Sequence, residues 1–318
     1  MQNPSPKSLR VFINNQLLEY SSCSVHHKCM HNDYPQNIPS YYIGLTQWHH
    51  PDWHIGQDAA AQALPEYSKH FSSVEGNSSF YGLPSASSIE NWKQQSSQHF
   101  KFCFKFPQTI THHAKLHHCD RQVSEFLNRV APLENKLGTL WLQLSASFSP
   151  RDLDKLSRFI QSLPPDFNYG IEVRHTGFFL KDDIEKRFNQ LLIQHAINRI
   201  TFDTRALFAH PSKDAITQDA LRAKPRMPVH AIATGITPFV RIITPLKIID
   251  GYAYLMPWVK KTLQWIDEER TPYLFFHTPD NKKAPEVARF FSEEIHKHRP
   301  DIPVQTIWNK DTLQPELF

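Results

Sequence analysis

The chain has 318 residues, 40% hydrophobic and 12% aromatic, which is enough for a large core within one domain. Its formal charge of +4, from 35 basic and 31 acidic residues, lacks the dense basic stripe of a dedicated nucleic-acid module and permits an anionic partner without requiring one. No apolar run is long enough to span a bilayer, Met1 to Tyr20 shows no secretory pattern, and four scattered cysteines frame no disulfide scaffold, so a cytoplasmic protein without membrane contact is expected.

Residues 1–40 are rich in Asn, Ser, Pro and His, lack sustained periodicity, and are expected to form a poorly ordered extension. From Tyr41 onward short apolar runs alternate with helical patterns, as in successive βα units. Eight strands are predicted: Tyr42–Leu45, Ser73–Asn77, Phe100–Phe106, Thr139–Leu144, Tyr169–Val173, Arg199–Asp203, Phe239–Ile243 and Tyr273–His277. Helices are expected over Ala59–His70, Ser88–Gln98, Arg121–Leu133, Lys181–His195, Tyr252–Glu268 and Ala284–His298. Ser149 and Pro150 open another as N-cap and first residue. Eight such units predict an α/β fold, a single-domain (β/α)8 TIM barrel over residues 41–299, with a C-terminal tail at 300–318.

One connection breaks the rhythm. Residues 204–236, between strands six and seven, carry three prolines and the basic residues Arg205, Lys213, Arg222, Lys224 and Arg226. A loop of this length is uncommon unless functional or disordered, and it would emerge at the C-terminal rim, where barrel active sites lie.

Barrel strands are buried on both faces, so a charged residue within one needs a reason. Seven of the eight strands end on a polar side chain. Strand two offers Glu75 and Asn77, strand three Lys105, and strand four Gln143. Strand five offers Glu172 and Arg174, followed by His175. Strands six, seven and eight offer Asp203, Arg241 and His277. Turned inward, three carboxylates would meet three cations. Buried ion pairs often add no net stability over apolar packing, so a functional cluster is the more economical account, a salt-bridge plug the bland one. Glu75, Lys105, Glu172 and Asp203 are the candidate catalytic groups. Asn77, Gln143, Arg174, His175, Arg241, His277 and Trp48 are the candidate substrate contacts. Lys105 suits a counter-ion, with Glu75 its expected partner, or, if desolvated, a Schiff-base nucleophile.

The leading expectation is an acid–base enzyme of hydrolase, lyase or isomerase type, acting on an anionic small molecule such as a phosphoester or phosphorylated sugar. A nucleic-acid-binding or -processing barrel is the alternative, with Trp48, Trp53 and the first-loop histidines stacking bases beside the basic connection. No cofactor is predicted. A divalent metal at Glu75, Glu172, His175, Asp203 and His277 is the lesser option, because adjacent cations already supply positive charge. Cys23, His26, His27, Cys29 and His31, and the pairs His112-His113 and His117-His118, lack zinc-module spacing and suit ordinary loop histidines.

Tyr42-Ile43-Gly44 with Trp48 and Trp53, Val74-Glu75-Gly76-Asn77-Ser78-Ser79-Phe80-Tyr81, Trp92, the Lys105 strand, Leu142-Gln143-Leu144, Glu172-Val173-Arg174-His175 and Val240-Arg241 occur in that order over about residues 41–299. Together they resemble the YecE-like family of TIM-barrel proteins, a domain-of-unknown-function family. The resemblance implies the barrel and supplies no reaction. The last strand departs from the family pattern: where many members resemble Phe-Asn-Asn, this chain has Phe276-His277-Thr278, with Asn281 downstream. Finally, Gln314-Pro315-Glu316-Leu317-Phe318 resembles the Gln-x-x-Leu-Phe peptides that dock on bacterial sliding clamps; the plainer expectation is a tail folded onto the barrel.

Overall fold

A computed structural model describes residues 12–13, 16–17, 39–50, 59–305 and 307. The Trp53 and His54 positions, the Cys23–His31 cluster and the Gln314–Phe318 peptide lie outside the described residues. Of the N-terminal extension, β1 (Phe12–Ile13) and β2 (Gln16–Leu17) are described, paired antiparallel.

The remaining strands are parallel: β3 (Tyr42–Leu45), β4 (Ser73–Gly76), β5 (Lys101–Lys105), β6 (Leu137–Gln143), β7 (Tyr169–Glu172), β8 (Asn198–Arg199), β9 (Thr201–Asp203), β10 (Phe239–Ile243) and β11 (Tyr273–His277). Their order, β8-β7-β6-β5-β4-β3-β11-β10-β9, begins and ends at adjoining pieces of one strand. The sixth predicted strand is broken at Ile200: Asn198 and Arg199 pair with β7, while Thr201 to Asp203 pair with β10. One residue therefore joins the two edges of the sheet and brings it almost to closure. The first barrel strand and the last two, β3, β10 and β11, span the residues the sequence predicts; the others shift by one or two, as frayed ends do.

Helices α1 (Ala59–His70), α2 (Ala86–Gln95), α3 (Asp120–Val130), α4 (Leu153–Ser162), α5 (Asp183–Gln194), α6 (Arg205–Ala209), α7 (Ala215–Ala223) and α8 (Tyr252–Asp267) lie between the strands, and α9 (Ala284–His298) follows the last. Local chemistry sets several starts. Ser85, three residues before the predicted start, caps α2 by accepting from Ser88 N at 3.0 Å. Asp182 and Asp214 cap α5 and α7 by accepting from Glu185 N and Thr217 N at 3.0 and 2.7 Å. Ser149 and Asp152 form a reciprocal capping box on the short turn Pro150–Asp152 that leads into α4. None of the helices among the described residues is long and apolar enough to cross a membrane.

Alternation along the strands makes two cores. Outward residues such as Phe100, Phe102, Phe104 and Phe106 pack under the helices, with Phe102 and Phe104 nearly parallel at 5.9 Å. Inward residues Tyr42, Cys103, Trp141, Ile200, Phe239, Tyr273 and Phe275 fill the barrel, making it a packed core and not a pore. Beyond the last helix, Gln305 stitches the beginning of the C-terminal tail to the barrel, donating to Tyr41 O and accepting from Ser72 Oγ.

Candidate active site

Above this apolar filling the strand ends carry an ionic layer. Arg241 of β10 lies at its centre, 5% exposed, with its guanidinium 4.8 Å from the Trp141 ring and 4.4 Å from the Phe202 ring. Its Nε and Nη2 donate to the two oxygens of Glu75, and Nη1 donates to Glu172 Oε2 at 2.7 Å. Arg174 completes the second carboxylate, its Nε donating to Glu172 Oε1 at 2.6 Å. Asn77 and His277 satisfy the rest of Glu75, at 2.8 and 3.1 Å.

This pairing decides the charge states. Burial alone would raise the Glu75 carboxyl, but Arg241 and His277 outweigh it and hold it well below the usual carboxylate range. Burial is likewise outweighed at Glu172, by Arg174 and Arg241, and its pKa is lowered. At Arg241 burial is outweighed by the two glutamates, so it stays charged. His277 is pushed down by burial despite Glu75 beside it.

Lys105 does not pair with Glu75, contrary to the expectation from sequence. Its Nζ donates to Gln143 Oε1 at 3.0 Å, and Arg174 Nη2 donates to the same oxygen at 2.8 Å. The Phe80 ring lies 3.7 Å from the ammonium. Burial and then Arg241 push the Lys105 pKa down to about 8, against partial support from Glu172 and Glu75. The Phe80 face favours the charged form only modestly.

A cavity of about 580 Å³ opens over this layer, lined among others by Asn77, Lys105, Gln143, Arg174, Arg241 and His277. A second cavity, of about 340 Å³, shares Gln143, Arg174, His112 and Lys224 with it, giving a two-lobed cleft. Glu75 and Glu172 lie beneath the lining and reach it through the arginines.

Three candidates fall elsewhere. Asp203 was expected inward, but Phe202 takes the cavity face of β9, and alternation turns Asp203 outward. There it accepts from Trp258 Nε1 at 2.8 Å and from Arg205, which satisfy its charge outside the barrel. Trp48 packs against Trp92 and Phe102, at 5.2 and 6.3 Å, and is absent from the cavity lining. His175 caps a short turn by accepting from Gly177 N.

Other lining residues escaped the sequence. Lys224, at the end of α7, brings the long 204–236 connection into the mouth; burial and Arg241 lower its pKa. The connection is tied down where Thr204 donates to Pro225 O and His230 meets Glu185 at 2.5 Å. His112, set aside as a loop histidine, lines both lobes beside Phe80, and burial followed by Lys105 lowers its pKa. The five basic residues of the connection were visible in sequence; which one reaches the site was not.

A family model described as "Protein of unknown function DUF72" matches residues 42–311, the whole barrel including every residue of the ionic layer. The chain belongs to the DUF72 family. It is 44% identical to the UPF0759 protein YecE of Escherichia coli K12 over 263 residues, covering 82% of this chain and 94% of that protein. Its likeness to the UPF0759 protein YunF of Bacillus subtilis 168 is 36% over 75 residues, covering 23% and 27% of the two chains. Crystal structures of DUF72 family proteins from Enterococcus faecalis V583 and Thermotoga maritima MSB8 match with TM-scores of 0.60 and 0.61. Sequence identities are 17% and 19%; coverage is 81% and 80% of this chain, and 96% and 99% of theirs. At those identities the likeness speaks for the barrel.

Proposed function

We propose that the cleft is an enzyme active site for an anionic small molecule, a phosphoester or phosphorylated sugar being the class in view, with proton-transfer chemistry of hydrolase, lyase or isomerase type. One observation carries this. Arg241, Arg174, Lys105 and Lys224 face two buried carboxylates, and the two arginines already occupy both carboxylates. Among the described residues, Lys105 and Lys224 have no carboxylate within 4 Å. A cleft with surplus positive charge and low-dielectric walls concentrates anions.

The supporting geometry divides the labour. Glu75 and Glu172 fix the rotamers of Arg241 and Arg174 and act as positioning residues. Arg174 and Lys224 line both lobes and suit the anion's oxygens. Lys105, with its pKa near 8, is suited to exchange a proton near neutral pH, with His112 in the same lining.

Titration calorimetry with inorganic phosphate tests the anion site, and a panel of phosphoesters and phosphorylated sugars tests turnover. Saturable phosphate binding, with turnover that Lys105→Met abolishes in a folded protein, is the expected result. No binding at low ionic strength, or full turnover in that variant, would end the proposal.

A further inference from the structure

We propose that Lys105 is a covalent catalyst, its ε-amine adding to the carbonyl carbon of the substrate to give a Schiff base, so that the substrate is a small anionic aldehyde or ketone such as an open-chain sugar phosphate. This deepens the function proposed above and rests on it.

A buried lysine is almost always paired with an acidic group. Lys105 is not, although Glu75 and Glu172 are near enough to act on its charge. Glu75 is saturated by Arg241, Asn77 and His277, and Glu172 by Arg241 and Arg174. The amine is left with a neutral partner, Gln143, whose oxygen it shares with a guanidinium. It sits at the C-terminal end of β5 in the cavity lining, with Phe80 against it at 3.7 Å and the Trp141 ring at 5.4 Å. Clustered cations and apolar walls make an amine nucleophilic, because both disfavour its proton. The groups that act on it come from β4 (Glu75), β7 (Glu172, with Arg174 just beyond) and β10 (Arg241), and His112 feels its charge in turn.

The step balances without a co-reactant. The lysine nitrogen bonds to the carbonyl carbon, and the carbonyl oxygen takes up a proton to give a carbinolamine. Loss of that oxygen as water, with transfer of the nitrogen's second proton, leaves the C=N bond. His112, whose Nδ1 lies 2.9 Å from Thr111 Oγ1, is the lining group suited to move these protons. Arg174 and Lys224 hold the phosphate.

The test incubates the full chain with dihydroxyacetone phosphate or glycolaldehyde phosphate, reduces with sodium borohydride, and maps the adduct by peptide mass spectrometry. One adduct per chain at Lys105 is expected, absent in Lys105→Met and slowed by added inorganic phosphate. The trapping rate should rise about fivefold from pH 7 to pH 8 as the neutral amine fraction grows. No adduct at Lys105, or adducts spread over surface lysines alike in wild type and variant, would overturn the inference. Because adduct position is read in the wild type, the test stands even if Lys105→Met fails to fold. Phosphate binding that persists without an adduct removes the covalent step alone; loss of phosphate binding as well removes the anion site beneath it.

Discussion

Arg241 grips Glu75 with two parallel hydrogen bonds, Nε to Oε2 at 2.9 Å and Nη2 to Oε1 at 2.8 Å, across 166 residues of sequence. Both side chains are almost wholly buried, so each charge depends on the other.

Arg241→Met should therefore cost about 3–5 kcal/mol in denaturant unfolding, the usual penalty for stranding a buried partner. The sign with pH is fixed by the depressed carboxyls. Their contribution in wild type is present above pH 4.5, the ordinary glutamate value, and is lost as pH falls through the folded values. In Arg241→Met burial raises Glu75 instead, while Arg174 still supports Glu172, so the deficit against wild type should shrink on acidification.

Lys105 carries the opposite linkage. Its folded pKa of about 8 lies below the ordinary 10.5, so between these values the unfolded chain binds more protons and stability rises with pH. Compared with Lys105→Met, wild type should gain on the order of 1–3 kcal/mol between pH 8 and 10.5, read from unfolding curves of both. A constant difference across that window would remove the depressed amine.

Lys224→Ala should weaken inorganic phosphate binding about fivefold to tenfold while leaving unfolding within about 0.5 kcal/mol of wild type, since the residue is half-buried and makes no ion pair among the described residues. Calorimetry at two salt concentrations checks this; an unchanged affinity would take the 204–236 connection out of the site.

Asp203→Asn is expected to cost about 1–2 kcal/mol through its contacts to Trp258 and Arg205, with phosphate affinity unchanged within about twofold. A large affinity loss would return Asp203 to the cleft.

At Gly44 a Cβ would lie 2.1 Å from Ser73 O and 3.0 Å from the Phe275 ring. Gly44→Ala should destabilise the barrel by about 3 kcal/mol, because backbone blocks one side. Gly82→Ala, with nothing within 4 Å of the new methyl, should melt like wild type.

The strands were readable because each is a short apolar run between turn residues, and Glu75, Glu172, Arg174 and Arg241 because a charge inside such a run is costly. Asp203 misled for the same reason. Its charge suggested the interior, while alternation from Phe202 placed it outside, where Trp258, some fifty residues later, supplies the partner. Sequence also could not show that Glu75 would choose Arg241 over Lys105. Both are cations on inward-facing strand positions, and only the crossing of strands decides which guanidinium or amine arrives. Lys224 was hidden by a connection whose path depends on tertiary anchors such as His230 with Glu185.

The ionic layer draws on both ends of the polypeptide: Glu75 comes early, and its partners Arg241 and His277 lie 166 and 202 residues later. A nascent chain that has not yet emerged past β10 holds a Glu75 carboxylate without its guanidinium, and the cost of burying that charge should obstruct premature closure of a partial barrel. Arrival of the guanidinium should thus favour closure of the complete barrel, and a chain truncated before residue 241 is expected to be open and protease-sensitive.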